Sequence, residues 1–211
     1  MFRQLKSSIV SLELEPGSKI SEVEVAKTYN VSRQPVREAF MRLGALNLLE
    51  IRPQRATRVR KISHSGLRNT RFIRAAVEVE VVRVACEVAT AQSLEPIYAN
   101  LDAQSDAIAA GNGDALHLLD YRFHELICQA AGCLPAFKTI AENKTHTDRV
   151  CTLVLADACG MQEVFDGHSA IIDALAQRNV EKAVANTRLH LQHLDETLVI
   201  ASSRHPDFFE D

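Results

Sequence analysis

Long apolar runs are missing from this 211-residue chain, although 46% of its residues are hydrophobic. No uncharged apolar segment approaches the roughly eighteen residues that span a bilayer, and "MFRQLKSSIV" lacks the apolar centre of a secretion signal. These absences argue against a membrane protein and predict a cytoplasmic one. The hydrophobic content is sufficient for one sizeable core, or for a modest core with a small appended domain.

Paired cysteines are also lacking, because the chain has five cysteines and none of them has C-x-x-C spacing. An odd number without that spacing disfavours both a disulfide framework and a thiolate metal site. Most of the five lie in apolar helical patterns, and we interpret them as buried thiols. They are Cys86, Cys128, Cys133, Cys151 and Cys159.

The chain also lacks an even distribution of charge. Residues 1–65, here called the head, carry 12 Lys and Arg against 6 Asp and Glu, a balance of +6. Residues 66–211, the body, carry 12 against 21, a balance of −9, which gives the net charge of −3. A basic head on an acidic body predicts a polyanionic partner for the head alone.

The order of elements in the head is typical of a winged helix-turn-helix. An amphipathic segment, "FRQLKSSIVSL", ends at the turn signal "EPG", and Ser21 opens a short helix with capping-box spacing. Ser32 can cap a third helix from Arg33 to about Leu46. Two strand-like runs follow, "LLEIR" and "TRVRKI", which predict a hairpin wing.

The third helix carries a cationic face near its N-terminus. Val36, Phe40 and Leu43 follow helical spacing toward a small core, which leaves Arg33 and Arg37 on the opposite side. Guanidinium groups there suit the DNA major groove, because they can bind phosphates or the N7/O6 edge of guanine. Basic residues of the hairpin are placed to follow a flanking DNA backbone. They are Arg52, Arg55, Arg58, Arg60 and Lys61.

These residues carry a family resemblance. The stretch from "EPGSKISEVEVA" to "RATRV", and above all "VSRQPVREA", resembles the winged-helix domain of the GntR family of bacterial transcription regulators. The resemblance implies that Arg33 and Arg37 are the main DNA-contacting residues, with Ser32 and Gln34 near the backbone. The family usually has glycine where this chain has Asn47 and, at the wing tip, Ala56; asparagine tolerates a left-handed conformation more easily than alanine.

The body is helical in period, and strands are hard to find in it. Six segments are predicted, at 67–92, 95–110, 113–131, 134–156, 160–177 and 179–203, with a loosely packed tail. The fold class is therefore mainly α: a winged helix-turn-helix domain over residues 1–65 and a six-helix bundle over residues 66–211.

One helix of the body offers a possible metal site. In "LDYRFHELI", Asp120 and His124 lie one turn apart on one face, and His168 and His190 follow on later helices. One carboxylate and three imidazoles suit zinc, with nickel or manganese also compatible. From the residues alone, the four side chains can equally form a hydrogen-bonded polar cluster. His117 and His193 are alternative ligands by position.

A second resemblance selects among these residues. "RAAVE", "DYRFHELICQAAG", "EVFDGHSAIIDAL" and "RLHL" make the body similar to the FCD ligand-sensing domain of one GntR branch, with six helices as in its VanR-type subgroup. The resemblance implies a divalent metal held by Asp120, His124, His168 and His190. It also implies a homodimer that binds operator DNA, a small organic acid as effector, and repression relieved by that effector.

Two arginines are candidates to hold the effector's carboxylate. Arg74 is chosen by its place in the family-like first helix, and Arg122 by its proximity to His124; either can instead be a surface or salt-bridge residue. A competing hypothesis is a metal-dependent enzyme in which the same site activates water. Glu125 points about 100° away from His124 and leaves that enzyme without an obvious general base. A closed, structural metal site is the third alternative.

Overall fold

The computed structural model describes residues 1–52, 55–154, 158–192 and 194–211. Over its described residues, the head contains three helices and a small antiparallel sheet in the strand order β1-β3-β2. Its elements are α1 (Phe2–Val10), β1 (Lys19–Ile20), α2 (Glu22–Thr28), α3 (Arg33–Ala45), β2 (Leu49–Glu50) and β3 (Thr57–Val59).

Local sequence explains most of the head. The Ser21 side chain caps α2 by accepting a hydrogen bond from the Val23 amide, and α3 begins at the predicted residue. Ser32 is the N-cap residue of α3, as predicted, but its side chain makes no capping hydrogen bond. The head has its own core, in which Val36, Phe40 and Leu43 are at most 2% exposed.

The described residues of the body are helical except for its C-terminal tail. The predicted segment 179–203 corresponds to two helices on either side of residue 193, which is not among the described residues. The helices are α4 (His64–Val88), α5 (Ala91–Ala109), α6 (Gly113–Ala130), α7 (Ala136–Val154), α8 (Ala158–Ala176), α9 (Val180–Gln192) and α10 (Leu194–Arg204). Among the described residues, none of the helices combines the length and the apolarity that a bilayer crossing requires.

Packing among these helices forms the main core. Helix α4 packs against α7 and α9, while α5 packs against α6 and α8. The buried cluster includes Phe123, Ile171 and the predicted buried thiols of Cys86 and Cys128. Burial raises the pKa of Cys128 to about 12, which keeps this thiol protonated at neutral pH.

The C-terminal tail returns to the junction between head and body, so the expectation of a loosely packed tail is wrong. Strand β4 (Ile62–Ser63) pairs in parallel with β5 (Phe209–Glu210). Phe209 is 8% exposed and stacks on the ring of His64. Burial of this aromatic ring outweighs the fraying that its position near the chain end suggests.

Candidate metal centre and DNA-binding surface

The N-terminus of α3 presents an exposed cationic surface. The Arg33 and Arg37 side chains are 60% and 56% exposed, and both lie near one carboxylate oxygen of Glu22, at 3.4 and 3.5 Å. Ser32 and Gln34 are exposed beside them. The structure therefore brings together the four residues predicted on this helix, and Glu22, which sequence reasoning missed, orients the two arginines.

The wing adds three further predicted arginines. Arg52, Arg55 and Arg58 are all exposed, and Arg58 donates a hydrogen bond to the Gly17 carbonyl. Asn47 has a φ of 55°, so asparagine adopts the left-handed conformation in place of the usual family glycine. Residues 53 and 54 of the wing tip lie outside the described residues.

Four buried or half-buried side chains converge in the body. Helix α6 contributes Asp120 and His124, α8 contributes His168, and α9 contributes His190; one ligand atom from each lies within 4.8 Å of the others. His124 Nε2 is 3.3 Å and His168 Nε2 is 3.2 Å from Asp120 Oδ1. The predicted ligand types therefore meet at one point in the bundle.

Hydrogen bonds on the outer side of two imidazoles orient them inward. His124 Nδ1 lies 2.9 Å from Glu78 Oε2, and His168 Nδ1 lies 2.9 Å from Gln104 Oε1. Their Nε2 atoms are buried and have no hydrogen-bond partner. An outer acceptor that holds Nδ1–H and leaves the Nε2 lone pair free is the usual arrangement around a metal-binding histidine, so these residues fit a divalent cation.

The third imidazole depends on a glycine of the neighbouring helix. A Cβ atom added to Gly167 would lie 2.8 Å from His190 Nδ1. The His190 ring centroid is 4.7 Å from that of His168 and 5.6 Å from that of His124. Gly167 therefore leaves the space that lets α9 deliver His190 to the cluster.

The protonation of two of the three histidines also suits a cation. Burial lowers the pKa of His168 to about 4 and lowers that of His190 below its ordinary value. Both rings are therefore neutral at pH 7, and a lone pair is available. For His124, burial acts in the same direction, but the charges of Glu78 and Asp120 outweigh burial and raise the pKa.

An ordered charge network surrounds the four side chains. The Lys144 ammonium contacts Asp120 Oδ2 and lies 2.6 Å from Asp148 Oδ1, while the Tyr121 hydroxyl donates to Asp148 Oδ2. Burial raises the pKa of Asp120, but Lys144 and the two histidines outweigh burial and hold it well below its usual range. Asp120 is therefore ionised before any ligand arrives.

A second buried pair lies beside this network. Arg74 is 3% exposed, and its Nε donates to Glu78 Oε1 at 2.6 Å. Its Nη2 is buried and has no hydrogen-bond partner. The pair connects the predicted effector arginine to His124 through Glu78. Sequence reasoning missed Glu78, although it lies one helical turn after Arg74, as Asp148 does after Lys144.

A cavity of about 60 Å³ adjoins the cluster. A single ordered water needs roughly 10–15 Å³, so the space suits a small molecule. Its wall contains cationic side chains, hydroxyl side chains and two of the candidate metal ligands. Among the lining residues are Arg74, Asp120, Lys144, Thr147, His190 and Thr197.

Three residues considered from the sequence do not join this group. Arg122 pairs with Glu125 on the surface of α6, and the structure does not bring it to the cavity. His117 is 40% exposed and lies 3.8 Å from Asp148. His193 is outside the described residues.

A winged helix with an exposed arginine face, joined to a helical bundle with a buried ligand-type site, defines a DNA-binding transcription regulator. Family comparison agrees: residues 1–59 match the bacterial regulatory proteins of the gntR family, and residues 70–193 match the FCD domain. The chain belongs to the GntR family, in the branch that carries the FCD domain.

Named relatives span almost the whole chain. The HTH-type transcriptional repressor RspR of Escherichia coli is 36% identical over 211 residues, which are 100% of this chain and 92% of the relative. The Nta operon transcriptional regulator of Aminobacter aminovorans is 29% identical and covers 90% of each chain. Family and relatives are transcription regulators, so the enzyme alternative is not supported.

Solved structures confirm the fold. McbR/YncC of Escherichia coli superposes with a TM-score of 0.79 at 20% identity, covering 97% of this chain and 96% of its own. A GntR-type regulator from a Rhodococcus species gives a TM-score of 0.75 at 21% identity, covering 93% and 95%. The predicted fold class, mainly α with an N-terminal winged helix, is therefore confirmed.

Proposed function

We propose that this regulator is a metabolite-responsive repressor that acts in the cytoplasm as a homodimer on a pseudo-palindromic operator. A two-fold dimer presents two α3 helices to two half-sites, so the dimer geometry fixes the half-site spacing. Arg33 and Arg37 bind base edges or phosphates, Ser32 and Gln34 lie near the backbone, and Arg52, Arg55 and Arg58 follow the flanking strand. The 36% identity to a named repressor supports the direction of regulation.

One observation supports the proposed sensory role. The Nε2 atoms of His124 and His168, which lie beside Asp120, are buried and make no hydrogen bond. Asp120, His124, His168 and His190 hold a divalent cation in this proposal. Three imidazoles and one carboxylate favour zinc, and nickel or manganese is compatible with the same donors. When bound, the cation supplies a positive centre that attracts an anionic oxygen.

The effector in this proposal is a small carboxylate that occupies the cavity of about 60 Å³. Arg74 lines that cavity and has one buried nitrogen without a partner, which a carboxylate oxygen can accept from. Lys144 adds a second cation and Thr147 a hydroxyl on the same wall. Arg122 is left out of the proposed effector contacts because it does not reach the cavity.

Operator titration tests the regulatory function. The purified protein is titrated with DNA from immediately upstream of its own gene, against unrelated competitor DNA, at two salt concentrations. We expect specific binding with a steep salt dependence, because several arginines replace counterions on the phosphates. Binding no tighter than to competitor DNA would contradict regulation of its own promoter.

Metal removal separates a sensory site from a structural one. Chelation of a sensory metal should abolish the response to organic acids, leave the free energy of unfolding of the body largely unchanged and retain specific binding to the operator. Chelation of a structural metal should instead lower the free energy of unfolding of the body and weaken operator binding with it. Denaturant unfolding and operator titration on the same chelated sample distinguish the two.

A further inference from the structure

Helix α7 contacts both the metal centre and the head. One of its faces carries Lys144, Thr147 and Asp148, which lie at the cluster or line its cavity. The residues toward the head begin beside that face, because residue 149 is rotated by about 100° from residue 148, and residue 152 lies one turn after residue 148. A single rigid helix therefore touches the sensory site and the DNA-binding domain.

Polar side chains of α7 contact the backbone of the head, and the Thr152 hydroxyl among them has a second acceptor in the Asp148 carbonyl of its own helix, at 2.9 Å. Arg149 Nη2 donates to the carbonyl of Arg60 at 2.6 Å, and the Thr152 hydroxyl lies 3.1 Å from the carbonyl of Val10. The His146 ring lies against the backbone of Leu46. These partners belong to the wing, to α1 and to the end of α3.

Arg149 is unusual for a side chain of its type. It is 2% exposed, its Nε is buried without a hydrogen-bond partner, and no described carboxylate forms an ion pair with it. Burial lowers its pKa to about 10, an effect that Glu210 only partly offsets. Burying an unpaired guanidinium costs more free energy than one backbone hydrogen bond returns. Stability alone therefore does not account for Arg149.

Helix α1 of the head packs against α7, whereas the junction is open beside Arg149. A cleft of about 430 Å³ lies next to Arg149, between the end of α3 and the start of β4 on one side and α4 and α7 on the other. A head with a cleft on one side of its junction can change its orientation about the packed side. The position of α7 then affects where the wing lies.

We infer that Arg149 is a positioning residue that couples the metal centre to the wing through α7. The inference rests on the proposed function, because it requires a cation at Asp120. That cation places a second positive charge beside the Lys144 ammonium, which shares Asp120, and like charges at this range repel. A shift of Lys144 moves α7, and Arg149 carries the shift to the Arg60 carbonyl.

The test compares operator affinity with and without saturating Zn²⁺ in the full-length protein, with zinc binding measured separately by calorimetry. In the wild type we expect the operator Kd to change by about fivefold or more on zinc addition, a typical allosteric coupling. In Arg149→Met, zinc should still bind and the change should fall below about twofold. A purely structural role would shift both operator affinities equally and leave their ratio unaltered.

Matched variants keep the result interpretable. Arg83→Met removes an exposed guanidinium that pairs with Glu80 and Glu87 on α4, and its zinc response should equal that of the wild type. Arg149→Lys keeps one donor toward Arg60 and should retain part of the response. Thr152→Val removes the exposed hydroxyl that lies 3.1 Å from the Val10 carbonyl, and it should weaken the response even if Arg149→Met does not fold.

The outcomes separate the two proposals. Absence of zinc binding in the wild type would overturn the proposed metal site, and the coupling with it. Zinc binding without any change in operator affinity, or an unchanged response in both Arg149→Met and Thr152→Val, would overturn the coupling alone.

Discussion

The head and the body hold the same kinds of charged residue in opposite environments. In the head, Arg37 is 56% exposed and shares Glu22 with Arg33 at 3.4–3.5 Å. In the body, Arg74 and Glu78 are each 4% exposed at their side chains and pair at 2.6 Å. Exposed pairs gain little and exchange partners readily, whereas buried pairs are costly unless every member is fixed by its neighbours.

This difference separates the two tasks of the protein. An exposed arginine can leave a carboxylate for a DNA phosphate at small cost, and its interaction is weakened by salt. The buried network around the cluster holds its geometry and leaves only selected atoms unsatisfied, here His124 Nε2, His168 Nε2 and Arg74 Nη2. Unpartnered atoms at the cluster therefore indicate where a ligand binds, while in the head the exposed charge itself is the binding surface.

The largest effect is expected when the buried metal centre of the body loses a ligand. His168→Ala should lower zinc affinity by at least about 100-fold, because even outer partners of a metal ligand typically contribute about 10–100-fold. Calorimetry and bound-metal stoichiometry measure the loss. His117→Ala, in which a 40% exposed histidine is removed, is the control and should bind zinc normally. Full metal occupancy in His168→Ala would place the site elsewhere.

Arg37→Ala tests the exposed DNA-binding surface of the head. We expect a loss of about 1–3 kcal/mol in operator binding and a salt-dependence slope that falls by about one unit. Titration of operator DNA at several salt concentrations measures both quantities. Arg83→Ala removes an equally charged, exposed guanidinium from the body and should leave both unaltered. An unchanged slope in Arg37→Ala would remove this residue from the DNA contacts.

A smaller effect is expected at the glycine that makes room for the cluster. Gly167→Ala brings a Cβ to 2.8 Å from His190 Nδ1, so the ring must move and zinc affinity should fall by about tenfold. Alanine in a helix interior is otherwise favourable by about 1 kcal/mol over glycine. Gly113→Ala, whose Cβ meets only Met161 Sδ at 4.0 Å, is the matched control. Equal zinc affinities in the two variants would contradict the crowding argument.

The smallest effect concerns pH in the metal-free protein. Burial lowers the pKa of His168 to about 4, whereas the unfolded chain binds this proton near pH 6.5. The unfolded state then holds more protons, so His168 contributes stability above pH 6.5 that is lost as the pH falls toward 4. Between pH 6.5 and 5.5 the loss is about 1 kcal/mol from this residue alone.

The other histidines also contribute to the pH dependence of stability, and together they determine the sign of its net slope. His190 and His146 are shifted in the same direction as His168, and His124 in the opposite one. Denaturant unfolding with chelator at these two pH values measures the net slope. His168→Asn should reduce that slope, and an unchanged slope in this variant would contradict the assignment.

Local patterns predicted the elements that depend on near neighbours. Helix α3 begins at Arg33 as expected from the preceding serine and the apolar spacing, and Asp120 and His124 share one face of α6. Strand β1 was missed because it has only two residues, Lys19 and Ile20, and exists by pairing with β3. The same reason applies to β5 in the tail.

The sequence by itself determined the domain class and the basic recognition helix, because each depends on residue type and on spacing within one element. It offered the four candidate ligands beside the alternatives His117 and His193, and the family resemblance selected among them. Only the tertiary structure decided that Arg122 stays at the surface, that Glu78 and Gln104 orient the imidazoles, and that α7 lies between the cluster and the head. Those contacts join residues up to 142 positions apart, such as Thr152 and Val10. Helical periodicity determines the contacts between residues three or four positions apart, whereas the packing of helices against one another determines the contacts between distant residues.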